Sequence, residues 1–352
     1  MIGMQHKVGV IGYGNMAHFH HTKILKPNNI IFHSAYDISD ERLKKAKENG
    51  LKTYNNLEDF LNDDEIDIVL VATPNNFHKE YAIAAANHKK HIICEKPVAM
   101  NLSEFSEMVN TAKRNCVLIT THQNRRMDSD YRIIKQIIND KTIGEVFRIE
   151  SRIEGSRGIA DTWRRRKKFG GGMMYDWGVH LIDQLLDLIP SKVTSVFAQF
   201  QYISTNEVDD NFRLMIEFEN GVSALAEIGT CNYIMHPLWY VQGKTGTAQI
   251  NYWDLDGKIV QLIDNDIKWE DEIPVSIAGP SLTMAPRAHD TAKTIHLPKP
   301  IVDDGIFYRN LTNAVEGTEE LWIKPEETMR VMKIIDLAFE SGRKNQVIHC
   351  EI

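Results

Sequence analysis

Short apolar runs alternate with amphipathic stretches over the first part of the chain. Residues 68–72 are apolar at every position, as expected for a central parallel strand that is buried on both faces. Strands that alternate with helices predict βαβ units and a doubly wound parallel sheet. The predicted strands are Lys7–Ile11, Ile30–Tyr36, Asp67–Thr73, His91–Glu95 and Val117–Thr121, and the helices between them include Glu41–Asn49, Phe77–His88 and Ser103–Asn115.

From about residue 145 apolar and polar positions alternate with a period of two, which is typical of strands with one buried face. An Asn220-Gly221 pair between two such runs predicts a tight hairpin. The predicted elements are strands at Val146–Ile153, Asn211–Glu219, Val222–Ile228, Trp239–Gln242 and Lys258–Ile263, and helices at about Gly172–Leu188, Gly305–Glu320 and Pro325–Ser341. The stretch Pro274–Pro300 is predicted to be an irregular excursion that acts as a lid or contact arm.

These patterns divide the chain into two predicted domains. Residues 1–125 form the α/β domain, and residues 126–352 form an α+β domain whose open, mostly antiparallel sheet carries helices on one face. Two apolar side chains, Met215 and Leu225, fall on the outward face of that sheet. Because two helices cannot cover both faces, we expect the chain to form a homo-oligomer through this sheet.

Composition narrows the class of protein. The 352 residues include 41 Lys and Arg against 48 Asp and Glu, a formal net charge of −7, so we do not expect binding to nucleic acid through bulk positive charge. Four cysteines form no CxxC pair, which fits a reducing cytoplasm. No membrane-length apolar run or secretory signal is found, so a cytoplasmic location and no membrane contact are expected.

The first strand runs into the motif Gly12-Tyr13-Gly14-Asn15-Met16-Ala17, which is GxGxxA at a strand–turn–helix junction. Such a turn brings backbone N–H groups to the pyrophosphate of a dinucleotide and predicts a Rossmann domain. Asp37 ends the second predicted strand, where a carboxylate binds both ribose hydroxyls and repels a 2′-phosphate. The pair predicts NAD rather than NADP.

Two further clusters carry candidate chemistry. Lys96 follows the fourth predicted strand, and ligands of open parallel sheets bind beyond such strand ends. Asp176, His180 and Asp183 are spaced i, i+4, i+7 after the run of glycines at 170–172, which predicts one helical face. A His that titrates near neutral pH can take the proton of an alcohol, while a Lys polarises its oxygen.

Other polar groups leave both structural and functional interpretations open. The basic run at 164–168 is typical of an exposed loop, although one or two of its side chains could contact ligand. The arginine Arg125 follows the last parallel strand, where polar contacts to substrate are expected. His18 and His21 share a helix face and His20 does not, with no acidic residue near in sequence, so no metal site is predicted.

The chain resembles the Gfo/Idh/MocA oxidoreductases over nearly its whole length. The resemblance rests on the GxGxxA turn with Asp37, the triplet Glu95-Lys96-Pro97 and the segment GGGxxxDxGxHxxD. The resemblance implies dimers or dimers of dimers, and it implies that Lys96, Asp176 and His180 are catalytic. It implies cofactor contacts at Gly12, Tyr13, Gly14, Asn15, Met16, Asp37, Thr73, Asn75, His78, Glu95, Lys96, Gln123, Trp163 and Arg164. The residues expected to bind substrate are Lys96, Arg125, Arg164, Asp176 and His180, and His20 is expected to be structural.

The leading hypothesis is an NAD-dependent dehydrogenase that oxidises a secondary hydroxyl of a sugar or glycoside. Its narrowest form is oxidation at C3 of a pyranoside. One alternative is a glycosidase that oxidises C3 transiently, releases the aglycone and reduces the product again without net redox change. Another alternative is a non-catalytic NAD-binding sensor, which the retention of Lys96, Asp176 and His180 disfavours.

Overall fold

The first third of the chain alternates strands and helices, as its apolar runs predict. The structure, a computed structural model, describes residues 5–263, 274–280 and 289–352, apart from residues 25 and 28. Its elements here are β1 (His6–Ile11), α1 (Asn15–Thr22), β2 (Ile30–Tyr36), α2 (Asp40–Glu48), β3 (Lys52–Tyr54), α3 (Leu57–Leu61), β4 (Ile68–Val71), α4 (His78–Asn87), β5 (His91–Cys94), α5 (Leu102–Arg114) and β6 (Ile119–Thr121).

These strands form a six-stranded parallel sheet in the order β3-β2-β1-β4-β5-β6, so the predicted Rossmann fold is confirmed. Strand order reverses between β1 and β4, which opens a crevice for ligand at the carboxyl ends of the strands. The sequence pattern missed β3 and α3, because three- and five-residue elements are too short to display a period.

Four neighbouring strands end in register at this crevice. Ile11 pairs with Val71, Val71 with Cys94, and Cys94 with Thr121. The residues that follow each strand therefore lie along one edge of the sheet, in the order of the strands. This register brings the GxGxxA turn, the segment after β4, the Glu95-Lys96-Pro97 triplet and the segment from residue 122 side by side.

The rest of the chain builds a second sheet. Its elements are α6 (Ser129–Asn139), β7 (Val146–Glu154), α7 (Val179–Leu188), β8 (Val193–Gln201), β9 (Asn211–Phe218), β10 (Ser223–Gly229), β11 (Trp239–Gly243), β12 (Gly246–Ile250), β13 (Gly257–Leu262), β14 (Val275–Ser276), β15 (Gly279–Pro280), β16 (Ala292–Ile295), α8 (Ile306–Val315), α9 (Pro325–Lys344) and β17 (Ile348–His349).

Nine described strands join this sheet in the order β16-β13-β12-β11-β7-β10-β9-β8-β17. Neighbouring strands are antiparallel except β7 and β10, which run parallel, so the sheet is mixed and mostly antiparallel, as predicted. The hairpin at 220–221 is confirmed, since β9 and β10 pair through it. The sequence pattern did not predict α6, β8, β12 or β17, and β14, β15 and β16 lie where an irregular excursion was predicted.

One face of this sheet is buried and the other is open. On β9, Phe212, Leu214 and Ile216 are buried, whereas Met215 between them is 50% exposed. The helices α7 and α9 pack on the buried face, and α9 also contacts α5 and β6 of the first sheet. The inner face, the two helices and the crevice edge of the first sheet therefore form one continuous core.

The chain returns to the first sheet near its end. Phe307, Tyr308 and Leu311 of α8 pack in the apolar cluster formed by β1 and β2, so α8 belongs by packing to the first sheet. The boundary at residue 125 stays a prediction. The predicted excursion at 274–300 lies partly outside the described residues; β14, β15 and β16 are its described strands. Nowhere in the described ranges does a helix combine the length and apolar character needed to cross a membrane.

Candidate active site

The turn after β1 leaves room for a dinucleotide. Gly12 has φ +88°, and a Cβ there would lie 2.9 Å from Thr73 Cγ2 and 3.0 Å from the Ala72 carbonyl oxygen, so only glycine fits without strain. A Cβ on Gly14 would meet no atom within 4 Å. Gly14 is the N-cap of α1, and the first N–H groups of a helix have no partner within it. The turn thus fits the pyrophosphate of a dinucleotide.

Asp37 is fixed beside this turn. Its Oδ2 accepts the backbone N–H of Tyr13 at 2.8 Å, and its Oδ1 accepts that of Ser39 at 2.9 Å. The neighbouring main chains are also joined, because the Gly12 N–H donates to the Tyr36 carbonyl at 2.9 Å. The carboxylate therefore stands at the end of β2, where the ribose of a bound dinucleotide would lie. Arg42 Nη1 lies 3.6 Å from its Oδ2.

The predicted catalytic residues Lys96 and Asp176 meet across the two sheets. Lys96 Nζ donates to the Asp176 carbonyl at 2.8 Å and to its Oδ1 at 3.2 Å. Arg164 Nε donates to the other carboxylate oxygen, Oδ2, at 3.1 Å. Burial raises the pKa of Asp176, but the two cations outweigh burial and hold that pKa below its usual value. Asp176 is therefore an anion that fixes the Lys96 ammonium.

His180 is buried one turn beyond Asp176. Burial lowers its pKa well below the usual value, and the positive charges of Lys96 and Arg125 lower it further. Its Nδ1 is buried and has no hydrogen-bond partner among the described residues. The imidazole is therefore neutral at neutral pH, which is the form that accepts a proton.

A π-helical turn over Met174–Gly178 carries Asp176 into α7. Asp209 holds its start: Oδ2 accepts the Met174 N–H at 2.7 Å, and the Asp209 carbonyl accepts the Met173 N–H at 2.9 Å. A Cβ on Gly172, which has φ +108°, would lie 2.3 Å from Asp209 Oδ1. The last of the three glycines thus lets this carboxylate approach. Burial raises the pKa of Asp209 to about 7.

Asp183, which was predicted to share a helix face with Asp176 and His180, pairs with Arg126 instead of with either of them. Its two oxygens accept Nε and Nη2 of Arg126, both at 2.7 Å. Arg126 is buried, with Glu327 on its Nη1 at 2.9 Å. A buried guanidinium requires a carboxylate partner, and this pairing lies deeper between α7 and α9.

Consecutive residues from the end of β6 onward carry polar atoms that are buried and lack a hydrogen-bond partner in the described part of the chain. They are Thr121 Oγ1, His122 Nε2, both amide atoms of Gln123, Asn124 Oδ1 and Arg125 Nε. Buried polar groups without partners are rare in proteins and each costs free energy. A run of them at the crevice edge indicates that a polar ligand completes this site. The Gln123 amide, which can both donate and accept, fits the carboxamide of a nicotinamide.

A small cleft opens beside His180. It is lined by Arg125, Asp128, Asp130, Ser151, Ile153, Trp177, His180, Leu181, Gln184, Trp239 and Trp253. Arg125 and His180 were predicted at the site, whereas Trp177 and Trp253 were not. The signal in the sequence was a tryptophan, Trp253, next to Asn251, Asp254 and Asp256. The lining of the cleft combines aromatic rings with a few convergent polar groups.

Glu95 is held by two histidines rather than by solvent. Its Oε1 accepts His20 Nε2 at 2.7 Å and His122 Nδ1 at 2.9 Å, and Tyr308 hydrogen-bonds the other nitrogen of His20. Burial lowers the pKa of His20 to about 4, so His20 is neutral near pH 7, and its structural role stays a prediction. His20, Glu95 and His122 could also hold a metal ion, and the absence of a metal stays a prediction.

The other predicted cofactor contacts surround this edge. Both nitrogens of His78 face carbonyls, those of Thr73 and Pro97, at 2.9 Å. Asn75 Nδ2 donates to the Gly170 carbonyl at 2.8 Å, which joins the glycine run to the first sheet. The Arg164 guanidinium lies 4.7 Å from the Trp163 ring centre. At the start of α1, Asn15 is exposed and Met16 is half-buried. The cofactor roles of these residues stay predictions.

A dinucleotide-binding sheet whose Lys96 meets Asp176 and His180 of the second domain at the crevice defines an NAD(P)-dependent oxidoreductase. Residues 6–123 match the oxidoreductase family with an NAD-binding Rossmann fold, and residues 131–249 match the GFO/IDH/MocA C-terminal domain. The chain belongs to the Gfo/Idh/MocA family.

Similar proteins, both solved structures and curated sequences, carry NAD-binding or dehydrogenase names. An NAD-binding protein from Listeria innocua is 40% identical, with a TM-score of 0.88 over 98% of this chain and 97% of that one. The scyllo-inositol 2-dehydrogenase (NADP(+)) of Bacillus subtilis is 27% identical over 98% of this chain and 96% of its own. Glucose-6-phosphate 3-dehydrogenase of the same organism is 32% identical over 53% of this chain and 54% of its own.

The depressed pKa of His180 predicts a particular pH dependence. Activity that needs the neutral imidazole is lost as pH falls through this pKa, so kcat/KM should stay constant down to a pH well below 6.5. Arg125→Gln removes a nearby cation, raises the pKa of His180 and should move the acid limb up by about half a pH unit or more. Arg148→Gln, an exposed arginine on β7, is the control. An acid limb that Arg125→Gln leaves in place would contradict the assignment of His180.

Proposed function

We propose that this protein is an NAD-dependent dehydrogenase that oxidises a secondary hydroxyl of a sugar or glycoside. The observation that carries the proposal is the Lys96 ammonium held by Asp176 next to the neutral His180 at the crevice of the dinucleotide-binding sheet. Oxidation of an alcohol needs a base for the hydroxyl proton and a cation for the developing alkoxide. NAD, when bound, supplies the ring that accepts the hydride.

Lys96 has a donor left for substrate. An ammonium group carries three N–H donors, and Asp176 takes two of them, one through its carbonyl and one through Oδ1. The third is free to donate to the substrate oxygen and to stabilise negative charge there. Asp176 in turn is held by Arg164, so the ammonium keeps its position during the reaction. Asp176 and Arg164 therefore orient Lys96, and Arg164 keeps donors for substrate hydroxyls.

The neutral His180 imidazole takes the hydroxyl proton. Its position in the cleft, with Arg125 and Gln184 among the lining residues, brings donors and acceptors around a substrate that has several hydroxyl groups. Within this class we propose C3 of a pyranoside as the carbon oxidised. A relative whose name is glucose-6-phosphate 3-dehydrogenase supports that position.

Purified protein with NAD should form NADH in the presence of a panel of inositols, free hexoses and methyl glucosides. Lys96→Met removes the group that stabilises the alkoxide, so kcat/KM should fall about 10²–10³-fold. The absorbance of reduced nicotinamide measures NADH formation by the wild type and by Lys96→Met. The position of the keto group in the product shows whether C3 is the carbon oxidised.

Lys79→Met is the matched control, because the ammonium of Lys79 pairs with Glu107 of α5 and Lys79 is not among the predicted site residues. No NADH from any member of the panel would contradict the proposal. Release of an aglycone without net NADH would instead support the redox-neutral glycosidase. Binding of NAD with neither signal would support the sensor.

We propose NAD as the cofactor because Asp37 presents a fixed carboxylate at the end of β2. The carboxylate would hydrogen-bond the ribose hydroxyls and repel a 2′-phosphate. Asp37→Ser should lower kcat/KM for NAD at least about tenfold, since hydrogen bonds to charged groups contribute about 1.5–3 kcal/mol, and so narrow the preference over NADP. Exposed Asp40→Ser on α2 is the control. A wild-type protein that prefers NADP, with Arg42 binding the phosphate, would refute this choice.

We also propose that the chain pairs with a second copy through the open face of its second sheet, as a dimer or a dimer of dimers. Met215 is 50% exposed there and Leu225 is half-buried, beside an Arg152–Glu227–Arg213 ion-pair network. Light scattering should give at least twice the 40.4 kDa chain mass, and Met215→Glu should shift the mass towards the monomer. A monomeric wild type would reject the pairing.

The free thiols of all four cysteines support a cytoplasmic location.

A further inference from the structure

A row of aromatic rings leads from His180 to the mouth of the cleft. The Trp177 ring centre lies 5.7 Å from that of His180, and the Trp253 centre lies 6.0 Å from that of Trp177. Trp177 is half-buried, whereas Trp253, on the turn between β12 and β13, is 40% exposed. Transfer of the substrate's hydroxyl proton to His180 does not require the indole of Trp253, which lies beyond Trp177. The exposed ring is therefore available to another part of the ligand.

Arg125 braces the two indoles. Its guanidinium lies 4.6 Å from the Trp177 ring centre and 5.6 Å from that of Trp253, which is a cation–π arrangement with both. Nη1 donates to Asp128 at 2.9 Å. Nε is buried and has no hydrogen-bond partner among the described residues. Arg125 thus fixes Trp253 over the cleft and keeps one donor for a ligand oxygen.

Three cations meet three carboxylates at the cleft, because Asp130 lies in its lining beside the paired groups. Lys96 and Arg164 both pair with Asp176, and Arg125 pairs with Asp128. A phosphate group binds best where cations are not already paired with carboxylates. The balance of charge therefore favours an uncharged ligand, unlike the substrate in the name of the relative glucose-6-phosphate 3-dehydrogenase.

We propose that Trp253, braced by Arg125 and Trp177, is a second subsite that stacks the second ring of an uncharged glycoside while its first ring is oxidised beside His180. The electropositive C–H face of a sugar ring packs against the electron-rich face of an indole. Arg125 Nε donates to an oxygen of the same ligand. This inference rests on the proposed function, and it narrows the substrate from sugars in general to two-ring glycosides without charge.

The test compares cellobiose, methyl β-D-glucoside and glucose 6-phosphate as substrates of the NAD-loaded protein. Wild-type kcat/KM should be at least about tenfold higher for cellobiose than for the methyl glucoside, and lowest for glucose 6-phosphate. Trp253→Ala should lower the cellobiose-to-methyl-glucoside ratio about tenfold, because truncation of a stacking aromatic costs about that factor. Trp253→Phe keeps a ring and should retain most of the ratio.

Tyr252→Ala is the matched control, since Tyr252 is the neighbouring ring, 50% exposed, and is not part of the cleft lining. Its ratio should stay within about twofold of wild type. A ratio that Trp253→Ala leaves unchanged, or a wild type that prefers glucose 6-phosphate, overturns the subsite.

A second readout separates this inference from the proposed function. If no sugar forms NADH, cellobiose is titrated calorimetrically into the NAD-loaded wild type and Trp253→Ala. Binding that weakens about tenfold in Trp253→Ala supports the subsite even though the dehydrogenase proposal has failed. Equal binding, or none in either protein, overturns the subsite.

Discussion

The ion pair between Lys96 and Asp176 is the contact on which the organisation of the site depends. It joins a strand end of the first sheet to the π-helical turn that enters α7 of the second. Both side chains are largely buried, so each charge requires the other. The same cation lowers the pKa of His180, and the same carboxylate binds Arg164. One desolvated pair thus sets the geometry of the cleft and the protonation of its base.

The polar atoms of residues 121–125 that have no partner in the described structure are suited to the cofactor, and the indoles of Trp177 and Trp253 are suited to the substrate. The atoms without partners on residues 121–125 lie at the crevice edge, where four strands end in register. Arg125 contributes to both groups, because it is the last of residues 121–125 and its guanidinium also lies against the rings of Trp177 and Trp253. The second domain contributes to the site through α7, its π-helical turn, the turn that carries Arg164 and the β12–β13 turn that carries Trp253.

Much of this arrangement could be predicted from the sequence, because it follows from local rules. The GxGxxA turn, Asp37 and Lys96 are each defined by the end of one strand, and Asp176 and His180 by a spacing of four. Contacts between distant residues were not predictable. Asp183 shares that spacing pattern but pairs with buried Arg126, 57 residues away. Trp253 reaches the cleft because the β12–β13 hairpin joins the sheet next to β11, which in turn pairs with β7.

A double-mutant cycle on Lys96 and Asp176 tests the central claim most directly. The quantity is kcat/KM for the best substrate in wild type, Lys96→Met, Asp176→Asn and the double variant. If the two groups act as one unit, the double variant should be no more than about threefold slower than the slower single variant, since coupled residues are not additive. Losses that multiply would mean that Lys96 and Asp176 act independently, and would contradict the account.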